Sequence, residues 1–248
     1  MDDDALLARA AANVAAWHDA SVRALDAATQ RTDGWWSYAA AAPNIYFTAV
    51  SLAAQPDDGG AAARRFVRRH LDQPGGGYVC VCDSWDELAL EDLGLQRRSR
   101  GRWCVRPAGP LRSAEPPDDL VVERVRDASS LATFEATMVR GFGARFPLAP
   151  FEIHAPGILD DPAMHVFLGR QRDEPVAVSM AYETPDMLGI YGVATVGSAR
   201  GNGFATAMTR VALAVDPMRT AMLQPTIEAW PIYVRLGFVD VGSFSHWG

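Results

Sequence analysis

Along the chain, apolar residues recur at two kinds of interval, three or four positions in some stretches and two or fewer in others. In "MDDDALLARAAANVAAWHDA", Leu7, Ala10, Val14 and Trp17 stand at helical steps behind an acidic start, which predicts an amphipathic helix and not a signal peptide. The second half is more regular. "LVVERV" (120–125) predicts a strand, "SSLATFEATMV" (129–139) a helix, and "HVFLGR" and "PVAVSMAYE" around the polar "QRDE" a hairpin. "MLGIYGVATV" (187–196) adds a strand, and from Gly203 onward Phe204, Met208, Val211, Ala212 and Val215 form one helical stripe that Pro217 closes. A short strand in "TAMLQPT", a helix in "EAWPIYVRLG" ended by Gly237, and a hairpin or strand pair in "FVDVGSFSHW" complete the order. The pattern predicts an α+β protein with a mixed, mostly antiparallel sheet flanked by helices.

Composition sets limits on this reading. The 248 residues, 49% apolar, suffice for two domains. "PAGPLRSAEPPDD" has a linker's composition, so the expected division is 1–106, a linker at 107–119, and 120–248. No apolar run is long enough to cross a bilayer, and Cys80, Cys82 and Cys104 are odd in number and lack zinc spacing, which suits a reducing cytoplasm. Neither a membrane nor nucleic acid is expected as a partner. The net charge of −7 disfavours phosphate-backbone binding, and the basic cluster Arg64, Arg65, Arg68 and Arg69 reads as a solvated helix face. His18, His70 and His165 have no partners at ligand spacing, so no metal is expected.

The chemistry concentrates in "VGSARGNGFATAMTRVALAV". After a strand, Gly201 and Gly203 permit a tight turn and present bare amides at the start of a helix, where the dipole favours anionic oxygen; a pyrophosphate fits such a nest. A dinucleotide fingerprint would need three glycines and a later acid, and a P-loop would need Gly-Lys-Ser/Thr; both are absent. Tyr233, a phenol among apolar neighbours, is either a core anchor or a proton donor.

Together, Arg200-Gly201-Asn202-Gly203-Phe204-Ala205 and the later "IYVRLGF", Tyr233 through Leu236-Gly237-Phe238, resemble the GCN5-related N-acetyltransferase (GNAT) superfamily over residues 119–248. Its signatures are Arg/Gln-x-x-Gly-x-Gly/Ala after the fourth strand and a tyrosine before leucine-glycine-phenylalanine. The resemblance implies acetyl-CoA, with pantetheine pairing along Val193, Ala194 and Thr195 and the diphosphate on the loop from Arg200 and Gly201 through Asn202, Gly203, Phe204 and Ala205 to Thr206. It implies acyl transfer to the primary amine of a small molecule or peptide, with Tyr233 near the departing sulfur. Glu183, ending a strand near the expected acyl end, is the first candidate base, ahead of Glu228, His154 and His246; an amine of lowered pKa would need none.

The first half also carries an echo. "LEDLGLQRRSRGRW" (90–103) repeats the leucine-glycine-apolar start and closing tryptophan of "VRLGFVDVGSFSHW", which suggests a diverged GNAT-like unit, tandem with the second. Leu90 then stands where Tyr233 stands, and "PDDGGAAARRF" offers no phosphate motif. Trp35, Trp36, Tyr38, Tyr46 and Phe47 are expected in the core or walling an acceptor cleft, and "GFGARFPLAPFEIHAPG" (141–157) is expected to cover that cleft. The expected protein is a monomer or homodimer. A sensor that binds acyl-CoA without turnover and a purely structural tandem domain are the competing readings.

Overall fold

The computed structural model describes residues 3–32, 34–38, 46–54, 61–72, 79–111, 117–143 and 149–248. In chain order the elements are α1 (Asp3–Arg23), β1 (Thr29–Arg31), β2 (Trp35–Tyr38), β3 (Ala49–Ser51), α2 (Ala61–Leu71), β4 (Val81–Asp83), β5 (Arg97–Arg106), β6 (Leu120–Arg124) and α3 (Ala128–Gly141). There follow β7 (Met164–Gln171), β8 (Glu174–Thr184), β9 (Met187–Thr195), α4 (Phe204–Leu213), β10 (Ala221–Leu223), α5 (Trp230–Arg235) and β11 (Val239–Trp247). Parts of several expected stretches, 39–45, 55–60, 112–116 and 144–148, lie outside the described residues.

The chain divides into two compact units. One comprises Met1–Cys104, Gln224–Ile227 and Asp240–Gly248, the other Val105–Leu223 and Glu228–Val239. Most of β11 thus packs with the first unit although the sequence places it after the second. It is also one nine-residue strand, antiparallel to β4, and not the hairpin or strand pair expected from "FVDVGSFSHW". Gly242 serves close packing there, because a Cβ on it would lie 3.0 Å from Leu7 Cδ1 of α1.

In the first unit the strands run β1-β2-β3-β4-β11-β5, with β3 and β4 parallel and α2 connecting them. Leu7, Ala10, Val14 and Trp17 are all buried, as the helical spacing requires. Trp35, Trp36, Tyr38 and Tyr46 are buried as well, and Trp35 stacks on Phe66 at 4.6 Å. These four rings are core.

In the second unit the order is β10-β9-β8-β7-β6, antiparallel except for the β9–β10 pair, which α4 connects. The β7–β8 turn sets Arg172 and Asp173 at φ 51° and 67°, the left-handed pair a two-residue hairpin demands. Asp127 caps α3 by accepting the Ser130 amide at 2.9 Å. Leu131, Phe134 and Met138 of α3 and Phe204, Met208 and Ala212 of α4 are buried, and both helices pack on β8 and β9. Each large apolar side chain so placed contributes about 1.5–3 kcal/mol.

Candidate functional site

The central feature of the second unit is β9. It pairs with β8 throughout, but Met180 faces Tyr191 while Val178 faces Ala194, so one extra residue is held in β9 between them. Gly192, at φ 59°, supplies the conformation this bulge needs. On the other edge, β10 pairs only with Leu188 and Gly189, which leaves Ile190–Thr195 without a strand partner on that side. Past the bulge, Val196 donates to Val176 O at 2.9 Å across β8. By the alternation of an antiparallel ladder, the Thr195 amide faces the open edge. An extended ligand can add to such an edge as a further strand would.

That edge leads into the glycine loop. Gly201 and Gly203 adopt φ 85° and 78°, so a side chain at either would be strained. A Cβ at Gly201 would meet no atom within 4 Å, and one at Gly203 would meet only Pro117 Cγ at 3.8 Å. Among the described residues, the space over the loop is open. Gly203 is also the residue preceding α4, and among the described residues no side chain caps the helix, so its first amides and positive dipole end can meet an exogenous acceptor. Phe204 is buried and anchors this turn, and Ser179 Oγ donates to Met208 O at 3.0 Å, tying α4 to β8. Ala205 and Thr206 are half-buried. Thr195 Oγ1, at the mouth of the loop, is buried with no hydrogen-bond partner among the described residues. An orphaned hydroxyl, a glycine turn with empty space above it and an uncapped helix start together fit a phosphate-bearing ligand.

Arg200 behaves otherwise than a phosphate ligand. Its Nη2 donates to Gly141 O at 2.8 Å and its Nε to Thr195 O at 3.3 Å. The guanidinium therefore joins the loop to the end of β9 and to the last turn of α3, whose dipole it complements. α3 meets β9 closely here, since a Cβ on Gly141 would lie 2.7 Å from Ala194 Cβ. Asn202 likewise turns inward, donating to Ala199 O at 3.2 Å. At these two positions the backbone, not the side chain, is what a ligand would meet.

Tyr233 lies on α5, 7% exposed, edge-on to Phe238 at 5.9 Å. Glu183 stands at the end of β8 opposite Leu188. That level is roughly 10 Å along β9 from the bulge and about 23 Å from Thr195 at the usual strand rise. Its carboxylate accepts from His165 Nε2 at 2.7 Å and pairs with Arg219 Nη1 at 3.4 Å. Arg219 is itself held by Asp216 at 3.0 Å and Thr184 O at 2.6 Å. Among the other candidate bases, Glu228 is exposed and His246 belongs to the first unit. The His154 ring is wholly buried beside Phe134, and burial pushes its pKa down to about 3, so it takes up no proton near neutrality.

Two residues not anticipated from the sequence help shape this region. Glu135, a buried carboxylate on α3, accepts the amides of Phe151 at 2.7 Å, Ile153 at 2.5 Å and His154 at 3.3 Å, fixing the described end of the 141–157 segment. Tyr191 sits at the bulge, and burial, with Tyr182 nearby, raises its phenol well above the ordinary tyrosine range.

No protein-family model matches the chain, and no curated protein matches it in sequence. Solved structures do match the fold. A GCN5-related N-acetyltransferase from Kribbella flavida is similar over 95% of each chain, with a TM-score of 0.61 at 19% identity. A functionally unknown conserved protein from Staphylococcus epidermidis matches over 90% of this chain and 93% of its own, with a TM-score of 0.61 at 13% identity. A GCN5-related N-acetyltransferase from Sphaerobacter thermophilus matches over 73% of this chain and 62% of its own, with a TM-score of 0.53 at 20% identity. The chain shares the fold of these structures, a mixed α+β architecture with a large, mostly antiparallel sheet flanked by helices.

Proposed function

We propose that the chain is an acyl-CoA-dependent N-acyltransferase that uses acetyl-CoA to acylate the primary amine of a small molecule or peptide in the cytoplasm. The observation that carries this reading is the continuity of the bulged, half-unpartnered strand β9 with the uncapped glycine loop at α4. The edge is suited to an extended amide-bearing arm and the loop to a diphosphate, in the order coenzyme A presents them.

Acetyl-CoA supplies the thioester. Val193, Ala194 and Thr195 hold the pantetheine arm, Thr195 Oγ1 being free to donate. The backbone from Arg200 through Gly201, Asn202 and Gly203 to Phe204, Ala205 and Thr206 receives the diphosphate, and the Arg200 side chain fixes the loop's geometry. Backbone amides of β9 face the oxygen on which charge develops. Tyr233 donates a hydrogen bond to the sulfur. Reference pKa values of about 8.5 for a thiol and 10 for a phenol make full proton transfer uphill by about 2 kcal/mol, so stabilisation of the thiolate precedes protonation. The ion pair with Arg219 holds the Glu183 carboxylate in place. Its role in this scheme is to orient His165, the proton carrier, at the acyl end of β9.

We read the first unit as a diverged copy that has lost the coenzyme site, supported by the matching glycine turns at Gly94 and Gly237. The proposal is tested by mixing the full chain with acetyl-CoA and a panel of primary amines while measuring thiol release. Release that depends on an amine is expected. Tight coenzyme binding without release by any amine would make the protein a sensor, and no binding at all would make the tandem fold structural.

A further inference from the structure

At the opposite end of α4 from the glycine loop, beside the end of α5, the second unit holds a separate cavity of about 340 Å³. Three of its lining residues are arginines: Arg106 at the end of β5, Arg210 in the last turn of α4 and Arg235 in the last turn of α5. The chain's 23 basic residues are all arginine, so this charge does not titrate under physiological conditions.

Arg106 is the informative member. It is only 8% exposed, yet among the described residues its guanidinium donates to neutral carbonyls alone, Pro107 O at 3.3 Å, Gly109 O at 2.9 Å and Pro110 O at 3.1 Å. Neither Arg106 nor Arg235 has a carboxylate partner among the described residues. Burial and the nearby Arg210 both hold the Arg106 guanidinium below its ordinary pKa. A buried cation without a counter-charge is costly.

Helix ends account for part of the charge. The C-terminus of α5 presents about half a negative charge to Arg235, which leaves Arg106 and Arg235 with a surplus of roughly one and a half. Arg106 itself lies at the end of a strand. Gly237 keeps the approach open, since a Cβ there, at φ 89°, would lie 3.9 Å from Arg106 Cγ and Nε. Pro110, Leu111, Val234 and Leu236 give the rest of the wall an apolar character.

We infer that this cavity is a binding site for a small organic anion of at least two negative charges, a polycarboxylate or a phosphate ester, distinct from the coenzyme site. The volume lies at the lower end of ligand pockets, about 300–1,000 Å³, which suits a compact metabolite and not a nucleotide. The paired charges suit the bidentate recognition of carboxylate or phosphate that guanidinium provides.

Isothermal titration of the full chain with citrate and, separately, with inorganic phosphate, at ionic strength held constant with sodium chloride, tests the inference and separates the two sources. Saturable binding of at least one anion is expected, weakened at least tenfold in Arg235→Gln, where an exposed side chain is exchanged without disturbing the carbonyl contacts of Arg106. Gly203→Glu should leave that binding unchanged. No saturable binding of either anion, equal affinity in Arg235→Gln, or loss of binding in Gly203→Glu would each overturn it, the last by placing the anion in the glycine loop.

Discussion

The two units share a local plan and differ in what it holds. In the first, β2 and β3 are antiparallel and α2 leads from β3 to the parallel β4; in the second, β8 and β9 are antiparallel and α4 leads from β9 to the parallel β10. The likeness extends to individual hydrogen bonds. Leu93, Gly94 and Leu95 donate to the carbonyls of Leu90, Glu91 and Leu90, and Leu236, Gly237 and Phe238 donate to those of Tyr233, Val234 and Tyr233 in the same pattern. Gly94 and Gly237 hold φ 81° and 89° at matching positions. Leu90, wholly buried, stands where Tyr233 does. A leucine fills space and offers no proton, whereas Tyr233 brings a hydroxyl to the matching position of its turn.

The sharpest way to break this comparison is to alter the two matched positions. Leu90→Ala should cost about 3 kcal/mol in chemical denaturation, because a fully buried leucine leaves a cavity, while turnover per folded molecule stays unchanged. A loss of turnover without a loss of stability would show that the first unit takes part in the chemistry. Tyr233→Phe should do the reverse. Turnover should fall about 100-fold, the usual contribution of a positioned proton donor, with coenzyme affinity within about twofold of wild type and little change in stability. Equal turnover would leave Tyr233 as packing, equivalent to Leu90 after all.

Acid should separate the units less strongly. Burial pushes His18 down to about 3 and His246 to about 4 in the first unit, and His154 to about 3 in the second. A histidine whose folded pKa is depressed keeps its neutral, stabilising state above the unfolded value of about 6.5, and that stability is lost as pH falls toward the folded value. At pH 5.5 each costs about 1.4 kcal/mol relative to pH 7.5. The first unit, which also holds His70, another ring whose pKa burial lowers, should lose protection faster in native-state hydrogen exchange, offset in part by Asp83, whose carboxyl burial raises. Equal loss in both units would mean that these rings are less sequestered than their packing implies.

Legibility followed the range of the interactions. The β7–β8 hairpin, the α3 helix and the α4 stripe rest on spacing within one segment and are readable from it. The bulge in β9 is not, because Gly192 interrupts an apolar run that reads equally well as a regular strand. Gly242 suggests a turn until Leu7, from the other end of the chain, is found against it. Of the site, the glycine loop is legible, since Gly201 and Gly203 declare a backbone conformation. The inward turn of Arg200 is set by a carbonyl 59 positions away, and the role of Glu135 by amides 16–19 positions away. The three-residue strands of the first unit are too short to establish a period.

Calorimetric titration of acetyl-CoA into wild type and Gly203→Glu tests the central claim most directly. One site per chain is predicted, with affinity at least tenfold weaker in the variant, whose side chain would bring strain and negative charge to a loop that otherwise presents only amides. Undiminished affinity in Gly203→Glu, or no binding to the wild-type chain, would contradict the account.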